Sequence, residues 1–106
     1  MKFNTMYVSK WADGDPNEVR VIETPTYTLH SMTAGDLCDR IAEIGKYCRA
    51  NEIHSIVLCP GFTHSMVAHV VEEVGKDVAV AVSRSDGPGS GVSARARKEA
   101  KKGLNQ

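Results

Sequence analysis

The chain has 106 residues, and thirteen Lys+Arg balance thirteen Asp+Glu, so its formal net charge at pH 7 is zero. That length fits one domain, and 42% hydrophobic with 25% charged residues is an ordinary globular composition. Neutral charge argues against a dedicated nucleic-acid module or a membrane-surface protein, and no apolar run approaches the ~18 residues of a membrane span.

The zero conceals a split. Residues 1–83 carry 7 basic and 11 acidic residues, net −4, whereas residues 84–106 carry 6 basic and 2 acidic, net +4. The composition therefore divides the chain into an acidic body, 1–86, and a Gly-rich linker with a basic tail, 87–106. Cys38, Cys48 and Cys59 are odd in number and cannot all pair within one chain, so reduced thiols packing as small hydrophobes are expected. Lys10, Asp13 and Asp15 interrupt any apolar leader in the first sixteen residues, and a reducing cytoplasm is the expected location.

In chain order, Lys2–Val8 reads as a strand and Trp11–Asp15 as a loop. Asp15-Pro16-Asn17-Glu18 has the cap, Pro and Glu of a helix start, but the following Val19-Arg20-Val21-Ile22 is β-branched and favours a strand. A tight hairpin after Ile22 would place Pro25 where positive φ is wanted, which tips the expectation to a short helix over 16–23. Pro25–His30 then forms a parallel strand with Tyr27 and Leu29 on one face and Thr26, Thr28 and His30 on the other, the half-polar pattern of a sheet edge. Thr33-Ala34-Gly35-Asp36 resembles a capping box and opens a helix with Leu37, Ile41, Ile44 and Cys48 on its apolar stripe and Asn51 at its end.

Ile53–Cys59 alternates between two apolar faces, which predicts a central parallel strand covered on both sides. Thr63 caps a helix whose stripe is Val67, Val70, Val71 and Val74, and Gly75 ends it. Val78–Val82 is a last strand. The expected fold is a three-layer α/β domain with four mostly parallel strands in the order 2-1-3-4, a truncated flavodoxin-like sheet followed by a flexible basic C-terminal tail.

In such a sheet ligands bind beyond the carboxyl ends of the strands, where the order reverses. Here that point falls between the loops 9–14 and 59–65. Gly61 permits close approach to backbone, Thr63 and Ser65 lie where helix N–H groups favour an anion, and Lys10, Trp11 and Phe62 add a charge and aromatic walls. The plain alternative is an ordinary strand-to-helix loop. Cys59 and His64 are the one candidate thiol–imidazole pair, with no Asp or Asn in sequence to orient the His; a buried Cys packing as a small hydrophobe is its plain alternative. Metal and cofactor signals are lacking. His64 and His69 fall on different helix faces, the cysteines show no Cys-x-x-Cys spacing, and Gly89-Ser-Gly91-Val-Ser-Ala94 has too little chain after it for a dinucleotide fold.

The segment Asn51–Thr63, Asn-Glu-Ile-His-Ser-Ile-Val-Leu-Cys-Pro-Gly-Phe-Thr, leads into a Val-rich helix, Gly75 and Val78–Val82. With Asp15, Pro16 and Glu23 it resembles a family of short prokaryotic α/β proteins classed as a domain of unknown function, over about residues 2–86. That resemblance implies a small single α/β domain and no catalytic residues; Pro60 and the basic tail depart from it. The expected function is binding of a small anionic ligand or a protein partner at the two loops. The alternatives are a thiol-dependent or acid–base enzyme using Cys59 and His64, and a nucleic-acid binder using the basic tail, which lacks aromatic residues to stack on bases. The apolar, uncharged strand 78–82 at a sheet edge predicts a homo-oligomer.

Overall fold

The computed structural model describes residues 1–35, 41–84 and 87–103. Strand β1 spans Phe3–Lys10, β2 Val19–Glu23 and β3 Tyr27–Ala34; helix α1 spans Ile41–Ala50, β4 Ser55–Leu58, α2 His64–Val74, β5 Ala79–Val82 and α3 Ser90–Lys102. The strands form one sheet in the order β2-β3-β1-β4-β5. β1 runs parallel to β3 and β4, β4 runs parallel to β5, and β2 is antiparallel to β3. The four strands expected from the sequence thus stand in the expected order, and a fifth is added at the edge.

That fifth strand corrects the helix expected over 16–23. The β-branched run wins because pairing with β3 extends to Glu23 opposite Thr28, and the chain turns there without positive φ at Pro25. Thr24 N–H donates to the Tyr27 carbonyl at 2.8 Å, which closes a loop around Pro25 and Thr26. The Asp-Pro signal makes a turn instead, with Asp15 Oδ1 accepting the Asn17 N–H at 2.9 Å.

The same change removes a layer. The crossovers β3-α1-β4 and β4-α2-β5 move across the sheet in one direction, so the right-handed rule places both helices on one face. Only the β1-to-β3 connection moves the other way, and it is built from β2 within the sheet rather than from a helix. The expected three layers are therefore two among the described residues. α1 and α2 cover the face that carries Met6, Val8, Met32, Ile56 and Leu58, and these pack with Ile44, Cys48, Val70 and Val74 in one core. Among the described residues no helix packs over the face of Thr5, Tyr7, Leu29 and Val57, so β4 is central but covered on one side.

Four smaller expectations also change. β3 continues to Ala34, so Thr33 pairs with Ser9 in the sheet and does not cap a helix; Asp36, Leu37 and Cys38 lie outside the described residues. β3 is not at the edge, and its polar face is the buried one: Thr28 and His30 are 6% and 7% exposed. On α2, Val70 and Val74 are buried as expected but Val71 is 48% exposed. Thr63 does cap α2, its Oγ1 accepting the Met66 N–H at 3.2 Å, and Gly75 ends the helix at φ +83°. The tail is not simply flexible, for residues 90–102 form the helix α3, which has no buried residue.

Candidate functional site

β1 and β4 are neighbours, and their carboxyl ends carry the two loops singled out by the sequence. Beyond Lys10 the chain turns at Trp11, whose N–H donates to the Ala34 carbonyl at 3.1 Å and whose carbonyl accepts the Gly14 N–H at 2.9 Å. Trp11 is thus tied by its backbone to the end of β3. Beyond β4 the chain turns at Pro60-Gly61, with Phe62 N–H donating to the Cys59 carbonyl at 3.2 Å. The Lys10 N–H donates to Cys59 Sγ at 3.1 Å, which joins the two loops directly. A Cβ at Gly61 would meet Cys59 Sγ at 3.5 Å and Lys10 Cβ at 3.6 Å, so this loop lies against the β1 end at ordinary contact distance.

The third wall comes from α3. Lys101 Nζ sits 5.4 Å from the centroid of the Trp11 ring, a cation–π contact that lays the basic helix across the loops. Arg97 Nη1 donates to Ser93 Oγ one turn earlier at 2.7 Å, which orients the guanidinium along the helix. A cavity of about 420 Å³ results, lined by Ser9, Lys10, Trp11, Cys59, Gly61 and the pair Arg97 and Lys101 together with Pro60. Three cationic side chains converge there, and none of its described lining residues is acidic.

The other singled-out residues lie elsewhere. Phe62 is 7% exposed and belongs to the core. Thr63 is occupied in capping α2. Ser65 lines a groove with Ile41, His69 and Glu72. His64 lines a different cavity, about 540 Å³, with Phe62, Val67, Val82 and Arg84; it shares only Pro60 and Phe62's loop with the site of Cys59. The contribution of α3 escaped the sequence because Arg97 and Lys101 look like solvated tail residues. The available signal was their four-residue spacing, which puts both on one helix face.

A second polar cluster sits between β3 and α1. His30 Nδ1 is 2.5 Å from Tyr47 Oη and its Nε2 is 3.1 Å from Thr28 Oγ1, which in turn donates to Asn4 Oδ1 at 2.8 Å. Thr28 has one hydroxyl proton and gives it to Asn4, so it accepts from His30 Nε2–H. The neutral ring then accepts the Tyr47 proton at Nδ1, and every group is satisfied. Burial pushes the His30 pKa below its ordinary value against a small opposing pull from Glu23, and burial raises that of Tyr47. Cys48, packed against Met6 on the same face, is pushed up by burial to about 11.

A family model described as a family of unknown function (DUF6506) matches residues 1–96, and the chain belongs to that family. The match runs past the Gly-rich segment and into α3. Neither the curated proteins nor the solved structures give a match. No helix among the described residues is long and apolar enough to cross a membrane.

Proposed function

For this member of a family of unknown function we propose binding of a small anionic ligand at the carboxyl ends of β1 and β4, under α3. The observation that carries the reading is the convergence of Lys10, Arg97 and Lys101 with Trp11 and Gly61 around one cavity of about 420 Å³. Cations on two separate elements suit a phosphate or a carboxylate, the Trp11 ring offers a flat apolar wall, and Gly61 keeps the floor low. On this reading 1–86 is the body of the domain and 87–106 its lid, and the +4 of the tail is the ligand's counter-charge. The thiol–imidazole alternative has less in its favour, since Cys59 and His64 line different cavities.

Self-association through β5 is the other part of the proposal. Among the described residues β5 pairs only with β4, and Ala79 and Ser83 turn their N–H groups inward to the His54 and Leu58 carbonyls. The alternate residues Val80 and Val82 therefore offer their N–H groups to the free edge.

Isothermal titration with inorganic phosphate, pyrophosphate and succinate at constant ionic strength tests the site. At least one of the three gives saturable binding that weakens about tenfold, ~1.4 kcal/mol, in Lys101→Ala. Heats no larger than those of added chloride, or equal affinity in wild type and Lys101→Ala, count against it.

A further inference from the structure

We infer that the anion bound under α3 carries an uncharged apolar group, and that this group passes over Pro60 into the neighbouring cavity at the carboxyl ends of β4 and β5. The inference rests on the anion-site reading and extends it to the class of ligand. β1, β4 and β5 stand side by side in the sheet and run in one direction, so their carboxyl ends form one continuous rim. The cation cavity lies over the first two ends. A cavity of about 540 Å³ lies over the last two. Pro60, on the loop after β4, lines both. Neighbouring strands are ~4.8 Å apart, so one to two spacings, roughly 5–10 Å, separate the cations from the far wall. A short alkyl chain or a single aromatic ring covers that span.

The chemistry of the second cavity complements that of the first. Pro60, Phe62, Val67 and Val82 form apolar walls, with exposed His64 and Arg84 beside them. Val82 pairs in register with Leu58, a core residue, so its side chain points to the helix-covered face. Val67 comes down on the same face from the first turn of α2. α2 packs chiefly against α1 and touches β5 little, which leaves a groove between Val67 and Val82 with buried Phe62 as its floor. Val82 is 40% exposed there. Ligand sites combine mostly apolar walls with a few convergent polar groups, and neither cavity has both alone. An inorganic anion reaches only the cations. An anion with an apolar group also covers the groove, and the exposed Pro60 ring, which has no N–H to satisfy, is the saddle between them. His64 and Arg84 disfavour a cationic group at the far end. Val82 uses its side chain here and its backbone N–H at the β5 edge, so the groove and edge pairing are compatible.

Isothermal titration at constant ionic strength compares methyl phosphate with hexyl phosphate. A fully buried methylene strengthens binding about fourfold, and the groove is open on one side, so five further methylenes, half-buried, give roughly thirtyfold. Val67→Asp puts a carboxylate in the groove and cancels that gain. Methyl phosphate still binds this variant, because Val67 does not line the cation cavity. Val82→Phe fills the groove from an exposed position and has the same two effects, which serves should Val67→Asp fail to fold. Hexyl phosphate that binds no tighter than methyl phosphate overturns the inference and leaves the anion site standing. So does a thirtyfold gain that both variants keep, since the alkyl chain then lies elsewhere. If neither ester binds saturably, or if Lys101→Ala leaves the affinity of both unchanged, the anion reading falls and the inference falls with it.

Discussion

Gly45 lies in the middle of α1, where Gly→Ala in an exposed helix adds about 0.8–1 kcal/mol of stability. The structure reverses that sign. A Cβ built at Gly45 falls 2.8 Å from the Glu73 carbonyl oxygen of α2 and 3.2 Å from the Glu73 carbonyl carbon. Reaching the 3.4 Å of an ordinary contact requires the helices to part by about 0.6 Å. The obstacle is backbone, which cannot rotate away, and overpacking of this kind costs about 1–3 kcal/mol. Parting the helices also strains the bond from Arg49 Nη1 to the same Glu73 carbonyl, 2.8 Å long, which adds about 0.5–1.5 kcal/mol. Steric and hydrogen-bond losses together exceed the propensity gain, leaving Gly45→Ala less stable by roughly 1–3 kcal/mol. For a domain of this size that lowers Tm by roughly 5–15 °C. Urea unfolding followed by circular dichroism measures it, with Gly91→Ala as the control, because nothing lies within 4 Å of the position of its Cβ. A stabilised or unchanged Gly45→Ala refutes the close approach of α1 and α2.

Stability should also depend on pH through His30. Its folded pKa lies below the ordinary 6.5, so the contribution is complete above 6.5 and is lost as pH falls through 6.5 toward the folded value. His30→Gln removes that part of the slope in pH-dependent urea unfolding; an unchanged slope contradicts the buried neutral ring. Native-state labelling with iodoacetamide modifies half-exposed Cys59 and spares Cys48, whose burial and raised pKa of about 11 suppress its thiolate; equal labelling of the two contradicts this. Lys101→Ala removes a contact worth about 0.5–1 kcal/mol and loosens α3, which is read as faster proteolysis after Arg95 or Arg97 with an unchanged Tm of the body. A protease pattern identical to wild type contradicts the docking of α3 on Trp11.

Much of the parallel core was legible because hydrophobic alternation is strong there. Ile56 and Leu58 on one face of β4, and Ile41, Ile44 and Cys48 along α1, fall where their spacing puts them. The failure at 16–23 came from two local signals of opposite meaning. A capping pattern at Asp15-Pro16 competed with β-branched Val19-Arg20-Val21-Ile22, and long-range pairing with β3 decided between them. His30 misled for a different reason. Polar residues on alternate positions imply solvent, yet here Tyr47 and Thr28 satisfy the ring inside the protein and Asn4 in turn accepts the Thr28 hydroxyl, and Tyr47 and Asn4 are distant in sequence. At the candidate site, Lys10, Trp11, Cys59 and Gly61 were legible because topology alone marks the carboxyl ends of β1 and β4. Arg97 and Lys101 were not, since only the docking of α3 on Trp11 turns a solvated-looking charge run into a wall.

Trp11 is the single tryptophan of the chain and lies in the cavity wall beneath Lys101, so its fluorescence reports the site without any label. Titration of the wild-type chain with pyrophosphate at constant ionic strength should give a saturable change in Trp11 emission, and Arg97→Ala/Lys101→Ala should abolish the saturation. An emission that does not change, or a curve that the double variant reproduces, contradicts anion binding under α3.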